Sequence, residues 1–122
     1  MIQTQSPKPY DLGERTFKFS KSVIAYVNKL EKSISNLEIS KQLIRSSGSV
    51  GANFIEAEEA ISKKDFAFRI KICRKEAKES RYWLNLTEPK EILANERDKL
   101  LQEATELMKI FGAIVEKSNH QV

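Results

Sequence analysis

Apolar residues in this chain return every three or four positions, and no segment sustains an apolar–polar alternation, so the pattern favours helices throughout. Leu12, Thr16, Phe19, Val23, Tyr26, Val27, Leu30 and Ile34 recur at heptad-like spacing, behind Asp11 and Glu14 in the arrangement of a capping box. A first helix is therefore expected from Asp11 to about Lys32, and a second from about Leu37 to Ala60. Ser62, followed by Asp65, caps a third that continues to about Leu86. Thr87-Glu88-Pro89 then interrupts the periodicity, leaving a turn or helical fragment through Ala94. A fourth helix is expected from near Asn95, carrying Leu100, Ala104, Leu107, Phe111 and Ile114, with Leu101, Met108 and Val115 widening its stripe. Four helices with short connections predict an all-α fold, an antiparallel up-down-up-down four-helix bundle.

The chain's 122 residues suffice for one core. Residues 1–10, with Pro7 and Pro9, read as a flexible arm, 11–118 as the bundle and 119–122 as a frayed tail. A hydrophobic content of 40% argues against disorder. No apolar run has the length of a membrane span, and the first residues lack an apolar leader segment, so a cytoplasmic protein with no membrane partner is expected. Cys73, the one cysteine, excludes an internal disulfide and suits a reducing compartment.

The second helix contains Arg45-Ser-Ser-Gly-Ser-Val-Gly-Ala-Asn-Phe-Ile-Glu-Ala57, where Leu, Lys and Glu would be ordinary. A glycine inside a helix costs up to about 1 kcal/mol relative to alanine. On a helical wheel Leu43, Ser47, Val50, Phe54, Ala57 and Ile61 form the core stripe. Gln42, Ser46, Ser49, Asn53 and Glu56 form a second, polar stripe flanked by Arg45, and Ile44, Gly48, Gly51 and Ile55 a third. The polar stripe is expected to be a half-buried seam against the third helix or another subunit, with the glycines admitting a close backbone.

The third helix directs Phe66, Ile70, Cys73, Ala77, Ser80 and Leu84 to the core. Ile72, Glu76, Glu79, Trp83 and Leu86 make a second contact surface. Its remaining face carries Lys64, Lys71, Arg74, Lys75, Lys78 and Arg81, together with Tyr82. Residues 63–86 hold eight Lys or Arg against Asp65, Glu76 and Glu79, a local +5 in a chain whose net charge is +4. The basic charge is therefore concentrated, and such a face attracts phosphate backbones when it does more than solvate the helix. A hairpin turning near Ile61-Ser62 sets Arg45 opposite Glu79 and Gly48 across from Glu76, which would lock the register.

Catalytic chemistry is poorly supplied. His120 sits in the expected tail, and Cys73 on the core stripe lacks a nearby base. Glu76-x-x-Glu79 and Glu103-x-x-Glu106 offer carboxylates without the histidines of a bundle di-metal centre. Glu56-x-x-Glu59 with Glu76-x-x-Glu79 faintly resembles the magnesium-binding pattern of all-helical nucleotide pyrophosphohydrolases. The expected register separates Glu59 from Glu76 by about 16 Å, too far to share one ion. No catalytic residue, metal or cofactor is expected.

Gln42-Leu-Ile-Arg-Ser-Ser-Gly-Ser-Val-Gly-Ala-Asn-Phe-Ile-Glu56, with Ser62-Lys-Lys-Asp-Phe66 and Lys75-Glu-Ala-Lys-Glu-Ser-Arg-Tyr-Trp-Leu84, resembles the bacterial four-helix-bundle proteins of the 23S rRNA intervening-sequence type. These are similar to the accessory variability proteins of diversity-generating retroelements. The resemblance covers the second and third helices closely and the others in pattern only. It implies a cyclic homo-oligomer, a pentamer, with no established activity in the intervening-sequence branch. In the retroelement branch it implies binding to a reverse transcriptase and to RNA or DNA through a basic surface. Carried over, Lys64, Lys71, Arg74, Lys75, Lys78 and Arg81 become nucleic-acid contacts, and Arg45, Ser46, Ser49, Asn53, Glu56, Glu76, Glu79 and Trp83 structural or interface residues. Two expectations from different classes follow, a non-enzymatic nucleic-acid-binding adaptor or a protein–protein interaction module with no nucleic-acid role, and a magnesium-dependent nucleotide pyrophosphohydrolase ranks third.

Overall fold

A computed structural model describes residues 11–120. The arm expected over residues 1–10 and the last two residues lie outside the described residues, as does the side chain of His120. Four helices follow in order: α1 (Leu12–Lys29), α2 (Ile34–Glu58), α3 (Lys63–Leu86) and α4 (Glu91–His120). No strand occurs among the described residues, so the fold is all-α.

Local chemistry sets the helix ends. Asp11 accepts from Glu14 N at 3.2 Å and opens α1. Ser33 accepts from Asn36 N at 3.1 Å, so α2 starts at Ile34, earlier than the expected Leu37. Ser62 accepts from Asp65 N at 3.0 Å and starts α3. These caps supply an acceptor to a first-turn N–H that no helix carbonyl reaches. The fourth helix departs most from expectation. It begins at Glu91 instead of Asn95, with no separate fragment before it, because Leu93 packs against the core and draws those turns into the helix. It also runs on to His120, past the expected boundary at residue 118.

Each helix adds one stripe to a common core. Phe19, Val23 and Tyr26 of α1 meet Leu43 and Val50 of α2, Ile70, Cys73, Ala77 and Leu84 of α3, and Ala104, Leu107 and Phe111 of α4, all buried. Burying apolar surface stabilises by about 25 cal/mol per Å², so this shared stripe outweighs the poor helix propensity of α2. Ile61, expected on the α2 core stripe, is 93% exposed because the helix has already ended at Glu58.

At one end of the bundle Asn36 is buried and ties two loops together. Its Nδ2 donates to Glu31 O at 3.0 Å and to Glu88 O at 3.2 Å, while its Oδ1 accepts from Glu88 N at 2.9 Å. Tyr26 and Thr87 share a buried hydroxyl bond of 2.8 Å nearby. Replacing Asn36 by alanine removes three bonds and leaves the Glu88 backbone groups without their partner. A loss of about 3 kcal/mol is expected from such a count, to be read from the urea midpoint of Asn36→Ala against the parent chain.

Candidate nucleic-acid interface and the seam behind it

Arg45 on α2 reaches across to α3. Its Nη2 donates to Glu79 Oε2, and its Nη1 lies 3.5 Å from Glu76 Oε1. Trp83 Nε1 donates to the same Glu79 oxygen at 2.9 Å. The Trp83 bond, and then Arg45, hold the Glu79 carboxyl below its ordinary value. Glu76 is more deeply placed: its side chain is only 9% exposed, and Oε1 has no hydrogen-bond donor beyond the charge of Arg45. Further along, the Ser46 and Ser80 hydroxyls meet at 2.9 Å in the interior. Asn53 Oδ1 accepts from Arg69 Nη1 at 3.2 Å, and its Nδ2 donates to Ser49 O at 2.9 Å. Arg45, Ser46, Ser49, Asn53, Glu76, Glu79 and Trp83 thus line one polar seam between α2 and α3, joined by Arg69. Glu56 and Gln42 stay exposed, and neither side chain joins these bonds.

The glycines play a different part from the one expected. A Cβ at Gly48 would meet nothing within 4 Å, so that residue admits no backbone of α3. The close approach is at Gly51 and is made by α1: a Cβ there would stand 3.2 Å from Thr16 Oγ1. Thr16 is itself held by a 2.7 Å bond to Leu12 O. Ser20 Oγ donates to Ser47 O at 2.9 Å along the same line, so Gly51 and Ser47 seat α1, while Ser46 faces α3.

The six basic residues expected on one face of α3 divide in two. Lys64, Lys71, Lys75 and Lys78 are exposed on the side away from the core. Arg81 leans toward α4, with Nη1 3.6 Å from Met108 Sδ, and Arg74 flanks Gly112, where an added Cβ would stand 3.7 Å from its Nε. Lys64, Lys71 and Lys78 form no ion pair with a described residue, and Lys75 only a long one of 3.9 Å to Glu76. Between α1 and α4 several charges are matched. Arg15 pairs with Glu103 and Glu106, each at 2.7 Å, and Lys29 with Glu96 at 3.0 Å. The Glu103 bond raises the basicity of Arg15 above its ordinary value. Two exposed rings, Phe68 and Tyr82, share the lysine side of α3.

Glu76 faces Arg45, fourteen residues before Glu59 on α2, so the two carboxylates do not converge. No group of three or more His, Cys, Asp or Glu that could hold a metal occurs among the described residues. Cys73 is buried, with its thiol pushed up to about 12 by burial and aimed at Val50 O at 3.4 Å. A thiol so protonated is a poor nucleophile.

The model of the 23S rRNA-intervening sequence protein family matches residues 9–113, nearly the whole bundle. The chain belongs to that family. Among solved structures it is similar to a protein of unknown function from the S23 ribosomal protein family of Bacteroides thetaiotaomicron. That likeness has 29% identity and a TM-score of 0.70, over 85% of this chain and 97% of the other. No curated protein matches. In this intervening-sequence protein the family-like segment 42–56 is the α2 side of the seam, and the segment 75–84 is its α3 side. The shared pattern therefore coincides with the Arg45 contacts.

Sequence reasoning placed Arg45 against Glu79 but missed Arg69, Asn36 and Phe68. Arg69 was counted only as charge, although its position four residues after Asp65 puts it on the seam side of the wheel. Removing Arg45 leaves the buried Glu76 with only the long contact to Lys75, at an expected cost of about 2–3 kcal/mol. Glu79 has a depressed folded-state pKa, so its contribution is present above the unfolded carboxylate value and lost as pH falls through the folded one. Thermal melts of Arg45→Ala should therefore lie well below the parent at pH 7 and approach it near pH 3. Adding Glu76→Gln to Arg45→Ala should recover part of the loss at pH 7.

Proposed function

We propose that this intervening-sequence protein is a non-enzymatic adaptor that binds RNA or DNA through the outer face of α3. It works as an antiparallel up-down-up-down bundle assembled into a cyclic homo-oligomer in the cytoplasm. The observation that carries the reading is the row of exposed lysines on α3, of which Lys64, Lys71 and Lys78 have no ion pair with a described residue and Lys75 only a long one to Glu76. Unmatched positive charge in a row suits a phosphate backbone, which gains from releasing its counterions. Lys64, Lys71, Lys75 and Lys78 make the primary contacts, and Arg74 and Arg81 extend the surface toward α4. The up-down order is supported by pairs whose numbers rise on one helix as they fall on the next: Thr16 by Gly51 and Ser20 with Ser47, Ser46 with Ser80 and Asn53 with Arg69, Arg15 with Glu103 and Lys29 with Glu96.

Self-association is supported by exposed apolar residues on the outer sides of α1 and α2, where those helices meet. Phe17 is 63% exposed, Ile55 59%, and Ile24 and Ile44 each 42%. A contiguous apolar strip of this kind marks an interaction surface, and it lies away from the α3 lysines, so a subunit contact there leaves them free. A pentamer rests on the family resemblance, as does a reverse transcriptase as a further partner. The same strip also favours a second reading, a module whose partners are proteins only.

Light scattering after size exclusion, with and without a labelled oligonucleotide, separates the two readings. The adaptor forms a species several times the 14.0 kDa chain that binds the oligonucleotide and releases it as salt rises. Lys71→Glu, Lys75→Glu and Lys78→Glu together should abolish binding and leave the oligomer intact. An oligomer indifferent to nucleic acid at low salt would leave the protein-only module.

A further inference from the structure

Two exposed aromatic rings interrupt the lysine row, and the seam behind them holds both in place. On the α3 wheel Lys64, Phe68, Lys71, Lys75, Lys78 and Tyr82 fall within one narrow sector opposite the core stripe. Phe68 is 56% exposed and Tyr82 59%. Each has a support on one side. The Arg69 guanidinium carbon lies 5.8 Å from the centre of the Phe68 ring, and Arg69 is itself tied to Asn53. Tyr82 meets Trp83 edge-on with ring centres 5.0 Å apart, and Trp83 is tied through Glu79 to Arg45. Both rings are thus oriented by side chains that α2 has already fixed, which lowers the ordering cost of using them as contact surfaces.

We infer that Phe68 and Tyr82 are stacking platforms for unpaired bases, so that the α3 face selects single-stranded nucleic acid over duplex. The inference rests on the nucleic-acid reading above and names the substrate class of that same surface. Fourteen residues of helix separate the rings by about 21 Å, with Lys71, Lys75 and Lys78 between them to follow the backbone. A strand laid along α3 can place a base on each ring and its phosphates on the lysines. In a duplex the base faces are already stacked on one another, so the rings add nothing and only the charge remains. Alternating aromatic and basic residues along one groove or ridge is the arrangement by which sequence-tolerant single-strand binders work.

The test compares one labelled oligonucleotide, as a single strand and as a blunt duplex, by anisotropy at fixed moderate salt. Parent chain, Phe68→Ala, Tyr82→Ala and the triple lysine reversal are titrated, and each is sized by light scattering. The parent should favour the single strand by about tenfold or more, and each ring variant should weaken single-strand binding about tenfold while leaving duplex binding unchanged. Equal binding of both forms, unaffected by the ring variants but lost in the lysine reversal, would overturn the inference and leave the adaptor reading standing. No binding of either form by the parent would overturn both. Ring variants that dissociate the oligomer would assign Phe68 and Tyr82 to a subunit contact and overturn the inference as well.

Discussion

Arg45 is the side chain on which the rest of the α2–α3 surface depends. It is the nearest positive charge to the buried Glu76 among the described residues, and it shares Glu79 with Trp83. An uncompensated carboxylate in that position would be far costlier than any single apolar contact nearby. The pair of helices is therefore fixed in rotation as well as in register: a slip of one turn would separate Arg45 from both acids. Once the rotation is set, Lys64, Lys71, Lys75 and Lys78 can only point away from the core. The basic ridge is a consequence of the seam.

Charge is distributed unevenly for the same reason. On α1 and α4, Arg15, Glu103, Glu106, Lys29 and Glu96 neutralise one another across the helix boundary. Of the α3 acids, Glu76 and Glu79 turn to the seam, toward Arg45 and Trp83, and Asp65 accepts from Ile61 N at the start of the helix. A helix with ordinary surface charge would intersperse both signs for solubility. Here one sign collects on one side, so a polyanion meets a local positive field there, and that field weakens as salt rises.

Much of this was legible in the sequence, and particular residues show why. The heptad returns of Phe19, Val23 and Tyr26, or of Ile70, Cys73 and Ala77, report the core stripe directly, because burial has the period of the helix. Ser62 with Asp65 announces a cap through short-range chemistry alone. The Arg45–Glu79 pair followed from the turn position once both helices were placed. Asn36 was illegible because its partners are backbone groups of Glu31 and Glu88, and no side-chain pattern records a loop's carbonyls. The start of α4 was misplaced because Asn95 resembles a cap, whereas the packing of Leu93 decides the matter. Arg74 and Arg81 were grouped with the lysines as one charged face, but on the wheel they lie nearer the core stripe, on the side where α4 packs with Met108 and Gly112. Gly51 was recognised as a site of close approach, but which helix approaches is a tertiary fact.

Photocrosslinking of a uniformly labelled single-stranded oligonucleotide to the intact protein, with the attached residues mapped by mass spectrometry, reads the proposed contact surface without altering it. Adducts concentrated on α3, at Phe68 and Tyr82 and within residues 63–86, are the predicted result. Adducts confined to α1 or α4, with α3 unmodified at saturating oligonucleotide, would contradict the assignment of the α3 ridge as the nucleic-acid surface.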